Sequence, residues 1–347
     1  MDPIERLTEH VVTLSPGDLS LAAVAAAKTF LLDSIGVGIA GGGEAVSATV
    51  LDTARGWGTG TDSAVWGTTV RLPAPAAALV NAHRTHGLEY DCVHEGAVVH
   101  AMATLVAALL ADVERRGGAT GADVIAAIAA GVDVAATLGL AARGAMRFFR
   151  PATAGTFGAV AALGKLGGLD AATLTSAFGL AYGQISGTLQ PHVEGSPLLA
   201  LQIGFDARAA VTAVDLARAG VSGPREVLEG RYGYFRLFEG DAYDVEPALR
   251  ELGKVWRVAE LAHKPFPSGR LTHGVVDGLR TLQAAHGFAA ADVSRVVARV
   301  PPLVRRLVGR PDVPAPAPSY ARLCLPFVAA TALLRGGVDV PDFRGDR

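Results

Sequence analysis

Small residues recur at nearly every third or fourth place along most of this 347-residue chain, and that spacing limits the folds open to it. On a helix it lines one face with side chains short enough for neighbouring axes to approach closely. The segments Asp2–Thr13, Leu19–Ile39, Val46–Arg55, Pro73–His83, Thr120–Leu140, Thr153–Leu166, Ala171–Ile185, Leu199–Ala219 and Pro224–Gly230 all read as helices. Gly, Pro or a Ser/Thr/Asp cap punctuates each. Asp18 is placed to cap Leu19–Ile39, and Gly41-Gly42-Gly43 to end it. Trp57–Arg71 reads as an ordered surface loop. No repeat of fixed period is present.

The character changes near residue 255. Val255–Glu260 and Val293–Val300 alternate and are rich in β-branched residues, so they read as strands. Leu271–His286 between them reads as a helix, giving a βαβ-like unit. Pro301–Pro318 is a connector, and Ser319–Arg335 an apolar helix packing back. The expected fold is therefore mainly α: a large all-helical domain with a smaller, shortened α/β lid. The expected boundaries are 1–254 for the helical domain, 255–318 for a partial lid, and 319–347 for the returning helix.

Composition removes several functions. Lys plus Arg is 31 and Asp plus Glu is 33, so no basic field attracts nucleic acid. Cys92 and Cys324 form no spaced metal motif and are too few for a four-thiolate cluster. Their number fits a reducing cytoplasm. The N-terminal MDPIERLTEH lacks the order of a signal peptide. The best candidate for a membrane span, Ala101–Ala111, is too short.

Against this apolar background, Leu88–Leu110 stands apart. Glu89, Asp91, His94, Glu95 and His100 fall within a dozen residues, with His83, Arg84 and His86 just before. Burying such groups is costly unless they pair or meet a polar ligand. The stretch reads as one wall of an active site at the start of a buried helix. A metal held by Asp91, His94, Glu95 and His100 is chemically possible, but the spacing matches no ligand motif; no metal and no cofactor are expected.

A second loaded stretch runs from His263 to His273. The chain has only four lysines, Lys28, Lys165, Lys254 and Lys264, and Lys264 sits between two prolines and the change of character. A desolvated lysine can serve as a base near neutral pH. Ser268-Gly269 precedes a helix, so its N–H groups suit a carboxylate, and Arg270 adds a planar cationic fork. Acids and imidazoles in one stretch and cations in the other suit proton abstraction beside a carboxylate.

The motifs LEYDCVHEGAVVH, RPATAGTFGAVAALGKLGGLD, GPREVLEGRYGYFRLF and HKPFPSGRLTHG, in that order, resemble the MmgE/PrpD family. The family includes 2-methylcitrate dehydratase, cis-aconitate decarboxylase and an iminodisuccinate epimerase, and the resemblance runs from about Leu31 to Phe343. It implies an all-helical domain with an α/β lid, a cleft between them, a homodimer, and metal-free chemistry on small polycarboxylates. Residue by residue, it places the family's acids at Glu89 and Asp91, its first histidine at His100, its lysine at Lys264 and a further histidine at His273. The family's threonine is Val93 here, with His94 beside it. Its histidine before a proline falls at Phe149, next to Arg150, and its late tyrosine at Phe327. A second lysine of the decarboxylase branch, upstream of Ile203-Gly204, is absent. Full members also continue further, so the chain is expected to be shortened at its C-terminus.

The expectation is a cytoplasmic, dehydratase-type lyase that takes an α-proton from a small di- or tricarboxylate. Lys264 and His100 handle protons, and Glu89 and Asp91 orient His94 or His100. Ser268, Arg270, His273 and Arg150 hold substrate. An epimerase using the same base is the alternative, and a non-catalytic binding or scaffold subunit is the third reading. No nucleic acid or membrane partner is expected.

Overall fold

The computed structural model describes residues 2–344. In chain order the long helices are α1 Pro3–Thr13, α2 Leu21–Gly41, α3 Ala45–Arg55, α4 Ala74–Gly87, α5 Ala101–Arg115 and α6 Gly121–Ala141. They continue with α7 Arg150–Leu166, α8 Ala171–Tyr182, α9 Leu198–Arg218, α10 His273–His286 and α11 Leu325–Arg335. Among the described residues the only sheet is a hairpin, β1 Ser63–Ala64 against β2 Arg71–Leu72, inside the segment expected as a loop. The mainly α expectation holds.

Contacts divide the chain into two units. The first takes the residues up to His86, Asp91–Leu189 and Ala200–Ala262. Its core is the packing of α6 on α7, with α5 alongside. Two glycines permit that crossing. A Cβ on Gly131 would stand 2.6 Å from the Gly158 carbonyl and 2.2 Å from Leu105, and one on Gly158 would stand 2.6 Å from the Gly131 carbonyl. Backbone thus rests on backbone where any side chain would intervene. A second cluster gathers Leu51, Val65, Leu72, Leu79 and Val80 and fixes α4. That helix runs beyond its expected end at His83 through His86, because the last turn's polar groups find partners. Arg84 donates to the Trp66 carbonyl at 3.0 Å, and His86 meets Asp91.

The second unit takes Gly87–Tyr90, Gln190–Leu199 and the chain from His263 onward. Here α10 packs on α11 over Phe266, Val276, Val328, Ala332, Val338 and Phe343.

Several local expectations are corrected. Ser20, not Asp18, caps α2, accepting from the Ala23 N–H, while Asp18 closes a short 3-10 turn. Pro224–Gly230 is a series of turns. Ser319–Arg335 is broken, because α11 starts only at Leu325 with Pro326 in its first turn, and the Arg322 carbonyl is held by the Gly269 N–H at 2.8 Å. The two strands are absent. Val255–Glu260 becomes a 3-10 turn over Arg257–Glu260, with the Arg257 N–H bonded to buried Asp133 at 2.9 Å. Val293–Val300 is irregular and exposes Val296 and Val297. A strand needs an edge to pair with, and alternation alone does not supply one. Two helices, Leu21–Gly41 and Gly121–Ala141, are long and apolar enough to cross a membrane, unlike the shorter Ala101–Ala111 singled out above. α6 is mostly enclosed by its own unit, whereas α2 exposes Leu21, Leu32 and Ile39.

Candidate active site

In the first unit, His86, Asp91 and His100 converge, their ligating atoms all within 4.8 Å of one another. His86 lies in the last turn of α4, and His100 stands immediately before α5. His86 Nδ1 lies 2.9 Å from Asp91 Oδ2, and His100 Nδ1 lies 3.2 Å from the same oxygen. The rings meet edge to face at 5.2 Å, and Phe149 covers His86. A carboxylate only accepts, so it makes Nδ1 of His86 the protonated nitrogen and leaves Nε2 the basic one. The same oxygen favours that tautomer in His100. Two imidazoles and a carboxylate also form a donor set that a divalent transition ion accepts. The grouping differs from the one expected, with His86 in place of His94 and Glu95.

His94 goes elsewhere. Its Nδ1 accepts the Ala97 N–H at 3.1 Å, and Nε2 donates to Glu260 at 2.9 Å. Burial alone would raise the Glu260 carboxyl, but hydrogen bonds from Arg257 and His94 outweigh it and lower its pKa. Both ring nitrogens of His94 are thereby engaged. Arg150 is similarly occupied. Its guanidinium grips Glu239 with two bonds of 2.9 Å and reaches the Ala97 carbonyl at 3.2 Å. Arg150 opens α7, where a cation opposes the helix dipole, and the buried Glu239 compensates for it. Held in this way, Arg150 anchors a helix start.

The second unit gathers a different set of groups. Lys264 Nζ stands 3.1 Å from Glu89 Oε2, with the lysine side chain fully enclosed. Glu89 has φ +51°, a left-handed conformation that a glutamate adopts only when its surroundings impose it. The buried Arg322 helps impose it by donating to the Gly87 carbonyl at 3.1 Å. His273 donates from Nε2 to the Ser268 carbonyl at 3.1 Å, leaving Nδ1 as a buried lone pair without a partner among the described residues. Burial, then the charge of Lys264, lowers its pKa to about 4, so the ring is neutral at ordinary pH.

The expected anion cradle is filled differently. The Ser268 N–H turns to the Phe266 carbonyl, the Gly269 N–H to Arg322, and the Ser268 hydroxyl to Thr272 at 2.8 Å. Arg270 opens a short 3-10 turn ahead of α10. Two groups absent from the expected site join this unit. Arg310, from the proline-rich connector, bonds His192 Nδ1 at 3.2 Å. Their only sequence signal was polarity beside proline.

A mainly α chain with two imidazoles and a carboxylate gathered in one unit, and an acid and an enclosed lysine paired in the other, has the equipment for proton transfer on an anionic small molecule. The chain matches the MmgE/PrpD N-terminal domain over residues 5–246 and the MmgE/PrpD C-terminal domain over residues 266–347, and it belongs to that family. It is 27% identical to human cis-aconitate decarboxylase over 98% of this chain and 73% of the relative. The mouse enzyme of the same name is 28% identical over 92% of this chain and 67% of the relative. A cis-aconitate decarboxylase-like protein of Aspergillus oryzae, oryM, is 29% identical over 80% of this chain and 61% of the relative.

Proposed function

We propose that this protein is a lyase acting on a small di- or tricarboxylate, starting from removal of an α-proton. The observation that carries the reading is the enclosed Lys264–Glu89 pair. A buried ion pair adds little net stability, so chemistry is the better account of its presence. In the reaction the C–H bond beside a carboxylate breaks, and its proton passes to a base of the Lys264–Glu89 pair. Charge develops on the carboxylate oxygens, where cationic donors stabilise it. Loss of a β-hydroxyl, protonated to water, then completes a C=C bond. Within the first unit, His100, oriented by Asp91, is equipped to give or take a proton.

Decarboxylation is the second reading, favoured by the names of the relatives. There a C–C bond breaks, CO2 leaves, and the carbon takes a proton from the same kind of donor. A homodimer belongs to the same proposal. The exposed Leu21, Leu32 and Ile39 on α2 support it as an apolar strip that a second copy would cover.

The test is proton NMR in deuterated water with cis-aconitate, citrate, 2-methylcitrate and iminodisuccinate. Water loss appears as a new alkene, decarboxylation as a shortened product, and epimerisation as deuterium wash-in without net turnover. Silence of the protein in both this assay and a thermal-shift screen of the same compounds would overturn the enzyme reading.

A further inference from the structure

Arg310 is a buried guanidinium that meets no carboxylate within ion-pair distance among the described residues. Its partners are neutral. Nη1 donates to the Tyr320 carbonyl at 3.3 Å, and Nη2 to His192, at Nδ1 and at the carbonyl. Its plane lies over the Tyr320 ring, 5.0 Å from the centroid. A permanent charge so enclosed is costly to leave uncompensated. Three of its five N–H donors are engaged in these contacts, so Nε–H and one Nη1–H remain.

His192 is set by the same contact. An arginine only donates, so Nδ1 of His192 is the acceptor and its proton sits on Nε2. That Nε2–H has no partner among the described residues. The Glu89 carboxylate is near enough to act on both groups, which brings them to the neighbourhood of the Lys264–Glu89 pair. Three hydrogen-bond donors and one unmatched positive charge thus share a unit with the proposed base, within electrostatic reach of Glu89.

We propose that Arg310 and His192 form a second carboxylate-binding subsite, which selects di- and tricarboxylates over monocarboxylates. Arg310 supplies charge and two N–H groups. His192 supplies the Nε2–H, in the tautomer that Arg310 fixes. The proposal rests on the lyase reading, since the subsite serves the carboxylate not being activated.

The experiment measures binding of propane-1,2,3-tricarboxylate, an unreactive probe, and of butyrate by calorimetry, with 15N spectra of the histidine rings. In the wild type the His192 signal should show the Nε2–H tautomer, and Nε2 should shift when the tricarboxylate is added. Arg310→Gln and His192→Leu should each weaken tricarboxylate binding about tenfold, the usual loss for a bond to a charged group. Butyrate binding should change little. His192→Gln, which keeps an N–H at similar reach, should recover most of the loss. In turnover, KM should rise while kcat stays within threefold. Tricarboxylate affinity undiminished in His192→Leu, or an Nδ1–H tautomer, would overturn the subsite. A wild type that binds and turns over no carboxylate would instead overturn the lyase reading, and the subsite with it.

Discussion

At the scale of single residues, enclosure decides what Lys264 can do. Its side chain has no exposure and its ammonium faces Glu89 at 3.1 Å, so neither partner is replaceable by a bulkier or neutral group without loss. Lys264→Met and Glu89→Gln should each lower the rate of α-proton exchange by about 10²–10⁴, the usual contribution of a positioned acid or base. Circular dichroism should show folded protein in both. An unchanged exchange rate in either variant would remove the pair from the mechanism. Arg150 makes the opposite case. Because its fork is closed on Glu239, Arg150→Met should cost roughly 3–5 kcal/mol of stability, as breaking a buried pair does. KM should stay within about twofold of wild type. A large rise in KM with an unchanged melting temperature would restore the substrate-clamp role that the sequence suggested. Lys264, Glu89, Asp91, His100 and His273 were legible because they were rare or crowded along the chain. His86 stood at the edge of that crowded stretch without being assigned a role, and His192 and Arg310 were not legible, because they lie 118 residues apart and sequence spacing carries no such distance.

At the scale of elements, periodicity read the helices well and the ends poorly. α6 matches its expected span to within one residue at either end, since Thr120 caps it and its small residues mark a buried face. α10 begins two residues later than expected, because Arg270–Thr272 winds as a 3-10 turn first. The strand expectations failed for a physical reason. β-branched alternation reports a pleated surface only where another strand is present to hydrogen-bond. At Arg257 the N–H instead found Asp133, and its side chain reached Glu260 at 2.9 Å. The recurring small residues were read from sequence as letting helix axes approach closely, and Gly158 of α7 sits at such an approach, against Gly131 of α6. Gly158→Ala puts a methyl group 2.6 Å from the Gly131 carbonyl, a backbone atom that cannot swing aside. The expected cost is about 1–3 kcal/mol, read from the urea midpoint. Gly274→Ala, within α10, meets nothing within 4 Å and serves as the control, with no loss and a gain of at most about 1 kcal/mol.

At the scale of the whole molecule, burial of ionisable groups sets the response to pH. Desolvation lowers His83, His192 and His273 to about 4, from an ordinary value of 6.5. Between those values the unfolded chain binds protons that the folded chain refuses, so each ring makes stability rise with pH through that window. The contribution per ring is up to about 3 kcal/mol. Asp206 works against them. Burial raises it to about 7 despite hydrogen bonds from Ser186 and Thr156, so between the ordinary carboxyl range and 7 the folded chain holds a proton that the unfolded chain has released. Stability from that group is present at low pH and is lost as pH rises toward 7. The three rings outweigh Asp206 below 6.5, and above that the rings are already neutral while Asp206 is still losing its proton. Stability should therefore climb from pH 4.5 to about 6.5 and then dip by pH 8. Asp206→Asn mimics the protonated acid: its oxygen can accept the Ser186 N–H that now lies 3.0 Å from Oδ1, and its amide can donate to the Ser186 hydroxyl. The variant should abolish the dip and be more stable than wild type at pH 8, by roughly 1–3 kcal/mol. Urea midpoints at pH 4.5, 6.5 and 8 decide the matter. If the variant were equal to or less stable than wild type at pH 8, Asp206 would be an ionised, satisfied carboxylate, and the alkaline side of the profile would need another group.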